Sequence, residues 1–293
     1  MSYKPHERLV APARQKSGVF RLAFGLIATT FLYAFLLALG SYVLKLTMGN
    51  AWVGDLAAPG GVLSAGQTLT ILGSFSFLIL AIGLVIILVH HRNPISLFGG
   101  LTLTSSQFLR AMRGLVTYVA LTIIFLFLTE DFIQQLSFVL WLTLLPISVL
   151  FILIQVSAEE LVFRGYIQSQ LAALGAPRII WILIPSILFG LLHYNPSAMN
   201  ELAPWTALWA VGFGILAADL TARNGTLGPA IALHFTNNFM ALVILGLEDF
   251  LGGLSLYAYP FSSTDTTELI SRMPNETIGI LVAYLFVRLA MRT

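Results

Sequence analysis

Long apolar blocks separated by short polar joints run along the whole chain, without the every-second-residue alternation of a membrane β-barrel. A bilayer core about 30 Å thick takes roughly 20 apolar residues per helix. Eight blocks are read as spans: about Leu22 to Leu44, Gln67 to Val89, Met112 to Thr129, Leu136 to Val156, Arg178 to His193, Pro204 to Ala218, Thr226 to Leu247 and Thr277 to Val287. The pattern predicts an all-α fold, a polytopic transmembrane helical bundle of about eight spans with both termini on one side. The first block is uncharged over a stretch longer than the roughly 7–15 apolar residues of a cleavable leader, so it reads as an uncleaved signal anchor. The stretch Met48 to Gly66, rich in Gly and Ala with Asp55 its only charge, reads as a flexible external connection. Asn93 to Arg113 reads as a helix lying along the inner interface.

Composition sharpens this picture in one respect. Only 10% of the residues are charged, against about 25% in soluble domains, so the position of each charge carries information. With the N-terminus inside, thirteen of the fifteen basic residues, Arg164 included, fall at inner positions and only Lys45 and Arg272 outside. Acids such as Asp55, Glu130, Asp131, Glu201, Glu248 and Asp249 fall on the outer side. The positive-inside rule then predicts an integral protein of the cell (inner) membrane with both termini cytoplasmic. The lipid bilayer is the expected surrounding and no nucleic acid is an expected partner; the oligomeric state is left open. His90 and His91 before Arg92 read as interface anchors, and Asp219 with Arg223, four apart, as a structural pair. The absence of cysteine excludes thiol nucleophiles, thiolate metal sites and disulfides.

A carboxylate inside a span costs roughly 2.5–3.5 kcal/mol or more and usually faces a polar interior. The fourth block ends in Glu159-Glu160-Leu161-Val162-Phe163-Arg164. Neighbouring helical residues point about 100° apart, so the two carboxylates serve different purposes. Glu160 and Arg164, at i and i+4, form an ion pair; Glu159 is left without a cation on its own helix. His193 ends the fifth block, and His234 and Asn238 share one face of the seventh. Taken singly, each of these has a structural explanation, as an interfacial charge or as a hydrogen bond between helices. Together, Glu, His, His and Asn in one membrane cavity make a hydrolytic set. A carboxylate withdrawn from water takes a proton more readily, which suits a Glu here to draw one from a water molecule. Imidazole and amide N–H groups can stabilise the oxyanion that results, typically by about 2.7–4 kcal/mol per donor. Ser157 lies nearby, but no G-x-S-x-G accompanies it.

The motifs Glu159-Glu160-x-x-x-Arg164, Phe189-x-x-x-His193 and His234-x-x-x-Asn238, with Asn224-Gly225-Thr226-Leu227-Gly228-Pro229-Ala230 leading into the last, resemble the CPBP family. That family includes the type II CAAX prenyl endopeptidases and bacterial bacteriocin-processing and self-immunity proteins. The resemblance covers about residues 136 to 245. It implies Glu159 as the base that activates water, assisted by His193, with His234 and Asn238 in the oxyanion site and Glu160 with Arg164 supporting Glu159. It further implies a peptide or membrane-protein substrate. The family has been read both as metalloproteases and as metal-independent glutamate proteases. Glu159, His193 and His234 would be the ligands of a divalent ion such as zinc, but Glu159 cannot serve at once as ligand and as the one evident base, so no cofactor is favoured. The expected organisation is an N-terminal transmembrane region at 1–135, a CPBP-like core at 136–245, and an outer loop with the last span at 246–293. A proton- or ion-coupled transporter and a non-catalytic membrane partner or immunity protein stay open as alternatives.

One expectation conflicts with another. Glu159 falls near the inner end of span four, whereas His193 lies about 22 Å along span five from Arg178. The two meet only if helix five starts beyond the inner boundary, if the helices tilt strongly, or if helix four continues through Leu161 to Leu171.

Overall fold

The computed structural model describes residues 3–57 and 61–292. Among these residues twelve α-helices follow one another: α1 Glu7–Arg14, α2 Val19–Met48, α3 Asn50–Ala57, α4 Ala65–Leu88, α5 Leu101–Thr129, α6 Phe138–Glu160, α7 Ser169–Ala173, α8 Arg178–Leu192, α9 Pro196–Met199, α10 Ala203–Asn224, α11 Gly228–Phe239 and α12 Thr266–Met291. Their ends follow local chemistry. Ser64 and Gln67 form a reciprocal capping box at the start of α4. The Ser137 hydroxyl accepts from the Leu140 amide at α6, and the Asp265 carboxylate from the Glu268 amide at α12. Gly225 ends α10 in the left-handed region at φ 71°, where a side chain would also strike the Pro5 carbonyl.

Among the described residues, six helical segments are long and apolar enough to cross a membrane: Val19–Met48, Ala65–Leu88, Pro94–Thr129, Phe138–Ala173, Asn200–Asn224 and Thr266–Met291. The fifth and seventh expected spans are shorter helices, Arg178–Leu192 and Gly228–Ile244. Exposed Phe20, Phe24, Phe31 and Phe35 on α2 and Leu121, Phe125 and Leu128 on α5 form the apolar outer surface. Such a surface suits lipid rather than water.

Four sequence expectations are corrected by this arrangement. Residues from Leu101 to Arg113 do not form a separate surface helix but the first turns of α5, with Gln107 and Ala111 buried. The apolar stripe that suggested an interfacial helix packs instead on α11 and α12. The connection from Met48 to Gly66 contains α3, while 58–60 lie outside the described residues. His90 is not an interface anchor: it is buried, 2.8 Å from the Tyr166 hydroxyl and 3.2 Å from Gln170 and the Lys16 carbonyl. Arg164 is fully buried rather than at the inner surface.

The ends of the bundle differ. At one end three short strands pair, β1 Ile133–Gln134, β2 Leu245–Gly246 and β3 Tyr257–Ala258, in the order β1-β3-β2. Pairing of β1 with β3 is antiparallel and of β2 with β3 parallel. Glu130 and Arg272 form an ion pair of 2.8 Å beside this small sheet. At the other end the N-terminal segment straps the helix ends. Tyr3 donates to Asp219, its ring lies under Arg178 and Arg223, and Arg8 reaches the Asn224 carbonyl. Asp219 and Arg223 pair as their spacing predicts. Leu9, Val10 and Ala13 of α1 are buried in the same strap.

His6 makes that strap sensitive to acid. Burial against Trp181 pushes its imidazole down from the ordinary value of 6.5 to about 4, and Nε2 has no hydrogen-bond partner. The docked strap therefore binds fewer protons than the released one. Its stability is complete above about pH 6.5 and declines as pH falls from there towards 4. Hydrogen exchange, corrected for the intrinsic rate, is expected to show residues 6–14 losing protection at pH 4.5 relative to pH 7.5. His6→Phe should retain that protection, and equal loss in the variant would assign the effect elsewhere.

Candidate active site

The conflict over depth is resolved by the helix that carries Glu159. At Glu160, α6 does not stop: the chain continues through a π-helical stretch, Leu161–Gln168, directly into α7. Residues 174–177 then turn the chain into α8. The arm from Ala173 back to Glu159 and the arm from Arg178 forward to His193 contain nearly the same number of residues. Two arms of similar length carry His193 back towards the end of the hairpin that holds Glu159. The Phe163 and Phe189 rings, 5.2 Å apart, confirm the register of this hairpin. π-turns in helices are frequent at functional sites, and here one begins immediately after the two carboxylates.

The carboxylates diverge in environment as their helical spacing requires. Glu160 is fully buried, and its Oε1 accepts from Arg164 at 3.0 Å and from His234 Nδ1 at 2.8 Å. Arg164 donates also to the Gly214 carbonyl at 3.3 Å and lies over the Phe189 ring. Glu160 and Arg164 thus brace His234, rather than Glu159 itself. Glu159 retains 13% side-chain exposure. Its Oε2 comes within 3.4 Å of His234 Nε2 without the geometry of a hydrogen bond, and has no other partner. Glu159 therefore has no cation on its own helix but a histidine across the bundle.

Counting protons defines the state of this cluster. A carboxylate oxygen only accepts, so Nδ1 of His234 carries a proton towards Glu160. A second proton, on His234 Nε2, would turn its 3.4 Å approach to Glu159 into an attraction between opposite charges. With that proton on the imidazole, Glu159, Glu160, His234 and Arg164 sum to zero charge. Neutrality of this kind is what makes buried ions tolerable in a low-dielectric interior.

His193 directly follows α8 and its Nδ1 faces the Phe189 carbonyl at 2.9 Å, which assigns Nδ1 as the protonated nitrogen and leaves the Nε2 lone pair available. Phe189 links the two histidines: its ring centroid is 4.6 Å from that of His193 and 5.8 Å from that of His234. Phe213 closes the other side of His234 at 4.9 Å. Asn238 lies one turn beyond His234 and donates to Gln155 Oε1 at 2.7 Å, while Asn237 donates to Asn238 Oδ1 at 3.1 Å. Of the expected set, Glu159 and His234 approach each other across α6 and α11, Asn238 lies one turn from His234, and His193 is linked to His234 through the Phe189 ring.

Close backbone approach makes this packing possible. A Cβ on Gly190 would come within 2.6 Å of the Ala207 carbonyl, so α8 and α10 touch where Phe189 and Phe213 enter the site. Gln155, Phe189 and Phe213 were not among the expected site residues. Gln155 had a legible signal, being a polar residue four positions before Glu159 in an apolar run. The contribution of the Gly214 carbonyl had none. The metal ligands considered above do not gather: among the described residues, no three His, Asp or Glu side chains are placed to hold an ion. Nδ1 of His234 is already committed to Glu160.

Comparison with known proteins places these residues in one region. The family model described as "Type II CAAX prenyl endopeptidase Rce1-like" matches residues 138–240. The uncharacterized protein YyaK of Bacillus subtilis (strain 168) is 31% identical over 112 residues, which are 38% of this chain and 38% of that protein. No solved structure matches the chain. All three motifs lie inside the segment 138–240 that is similar to the Rce1-like model, a likeness consistent with the CPBP family.

Proposed function

We propose that the chain is an intramembrane endopeptidase that hydrolyses a peptide bond of a peptide or membrane-protein substrate with water activated at Glu159. The observation that carries this reading is the unpartnered Glu159 Oε2, 3.4 Å from a histidine whose far nitrogen is anchored on a second carboxylate. Orphaned buried acceptors are rare and ask for an explanation; a carboxylate oxygen that takes its proton from water is one. In the reaction, Glu159 takes a proton from water and the hydroxide adds to the scissile carbonyl carbon. His193, through its free Nε2, helps to orient that water. The protonated His234 and the Asn238 amide donate to the oxyanion. The proton held on Glu159 then passes to the leaving nitrogen as the C–N bond breaks, giving a carboxylic acid and an amine.

The step needs no metal in this reading. Supporting that, Glu159 is left as a base, and Nδ1 of His234 is committed to Glu160. Cleavage by purified protein should therefore survive chelation, with no gain on adding zinc back; loss restored by zinc would assign the metal-dependent alternative. By the positive-inside rule we place the strapped end, with Lys16, Arg92, Arg178 and Arg223, on the cytoplasmic side of the cell membrane.

The decisive experiment compares membrane peptidomes of cells carrying the wild-type chain and Glu159→Ala. A peptide released only with Glu159 present would identify a substrate. Identical peptidomes across growth conditions would favour the non-catalytic partner.

A further inference from the structure

Helices α6 and α11 face each other through two polar rungs rather than one. Glu159 lies opposite His234, and one turn away Gln155 lies opposite Asn238, so the spacing of four is matched on antiparallel helices. The second rung is buried at Gln155 (6% exposed) and short, at 2.7 Å. We propose that Gln155 is a positioning residue for Asn238, setting the plane and direction of its amide for the developing oxyanion. This rests on the endopeptidase reading above and assigns a role to a residue outside the three motifs.

The argument is one of hydrogen-bond inventory. A primary amide has two N–H donors and one carbonyl acceptor. Asn238 Oδ1 takes the Asn237 amide, and one Nδ2–H goes to Gln155 Oε1. Two bonds at opposite ends of the group fix its rotation and exclude the flipped orientation, in which Oδ1 would face the Gln155 oxygen. One Nδ2–H remains, available to a further acceptor. Without Gln155 the amide can rotate about its side chain, and the remaining donor no longer has a fixed aim. Misplacement of a catalytic group by about 1 Å can cost on the order of 100-fold in rate.

The test uses the purified full-length chain in detergent. Its probe is an internally quenched synthetic peptide spanning the cleavage site whose release depends on Glu159. Gln155→Met, which preserves volume and removes the acceptor, should lower kcat roughly 10- to 100-fold with KM within about twofold. Gln155→Glu keeps an acceptor oxygen at the same reach and should recover part of that loss. Adding Gln155→Met to Asn238→Ala should slow Asn238→Ala no further, because the two act through one donor. If Gln155→Met cleaves as fast as wild type, or if its loss tracks a lowered Tm and adds to that of Asn238→Ala, Gln155 is merely a packing residue. If no Glu159-dependent peptide is found at all, the endopeptidase reading fails, and this role with it.

Discussion

Glu159→Gln lowers turnover by about 10³-fold while leaving Tm within a few degrees of wild type. On the proposed reading, the rate loss follows from removing the base that takes the proton from water, an effect that general acid–base catalysis sets at roughly 10²–10⁴. Preserved stability follows from the surroundings of the side chain. Glu159 is partly exposed, and Oε2 forms no hydrogen bond that the substitution would break. An amide of the same size fits the same space, and its N–H can donate to a neutral His234 Nε2. The adjacent Glu160 should behave in the opposite way. Glu160→Gln keeps an acceptor oxygen but removes the negative charge shared by Arg164 and His234, so both stability and activity should fall. Kinetics on the Glu159-dependent peptide, paired with thermal unfolding in the same detergent, separates the two neighbours. Equal behaviour of both variants would mean that the carboxylates share one structural role. Full cleavage by Glu159→Gln would remove this carboxylate from the chemistry.

Arg164→Met destabilises the fold by about 3–5 kcal/mol, the cost of leaving one member of a buried ion pair without its partner. For a chain of this size that corresponds to a Tm loss on the order of 10 °C. The guanidinium is fully buried, bonded to Glu160 and to the Gly214 carbonyl, and stacked on Phe189. Methionine replaces much of the volume but none of the charge, so the Glu160 carboxylate stays in an apolar interior with only His234 to balance it. The double variant Glu160→Gln, Arg164→Met leaves no unpaired charge and should recover part of the loss, because replacing both members of a buried pair is far less costly than breaking it. The double variant would remain weak in catalysis, since His234 loses its anchoring charge. Thermal unfolding of the three variants, followed by tryptophan fluorescence, checks the order. A double variant less stable than Arg164→Met would show that Glu160 is held by contacts other than the arginine.

The expected chemistry was legible to an uneven degree, and the reasons are physical. The i,i+4 pairs Glu160–Arg164 and Asp219–Arg223 depend on one helix alone, so spacing was enough to predict them. The buried position of Arg164 depends on what packs around it, and counting it as an inner-surface charge misplaced it. His90 was misread for the same reason: a histidine beside an arginine at a helix end looks interfacial until Tyr166 and Gln170, some 80 positions later, are seen to enclose it. Asn93 to Arg113 was misread because an amphipathic face has the same pattern whether it meets lipid headgroups or the faces of α11 and α12.

Apolar block length, charge segregation and helical spacing by themselves determined a membrane helical bundle, the order of its principal segments, and which of two adjacent carboxylates would be paired along its own helix. These are properties of a segment and its nearest neighbours in sequence. Tertiary structure decided the rest: that α6 runs on through a π-turn, that a hairpin sets the Phe163 and Phe189 rings against each other and so carries His193 towards His234, and that Glu160 braces His234. It also decided that Gln155 faces Asn238. Each of these is a contact between segments distant in sequence, fixed by the close packing of helices at Gly190 and Phe189, and no local pattern records which faces will meet.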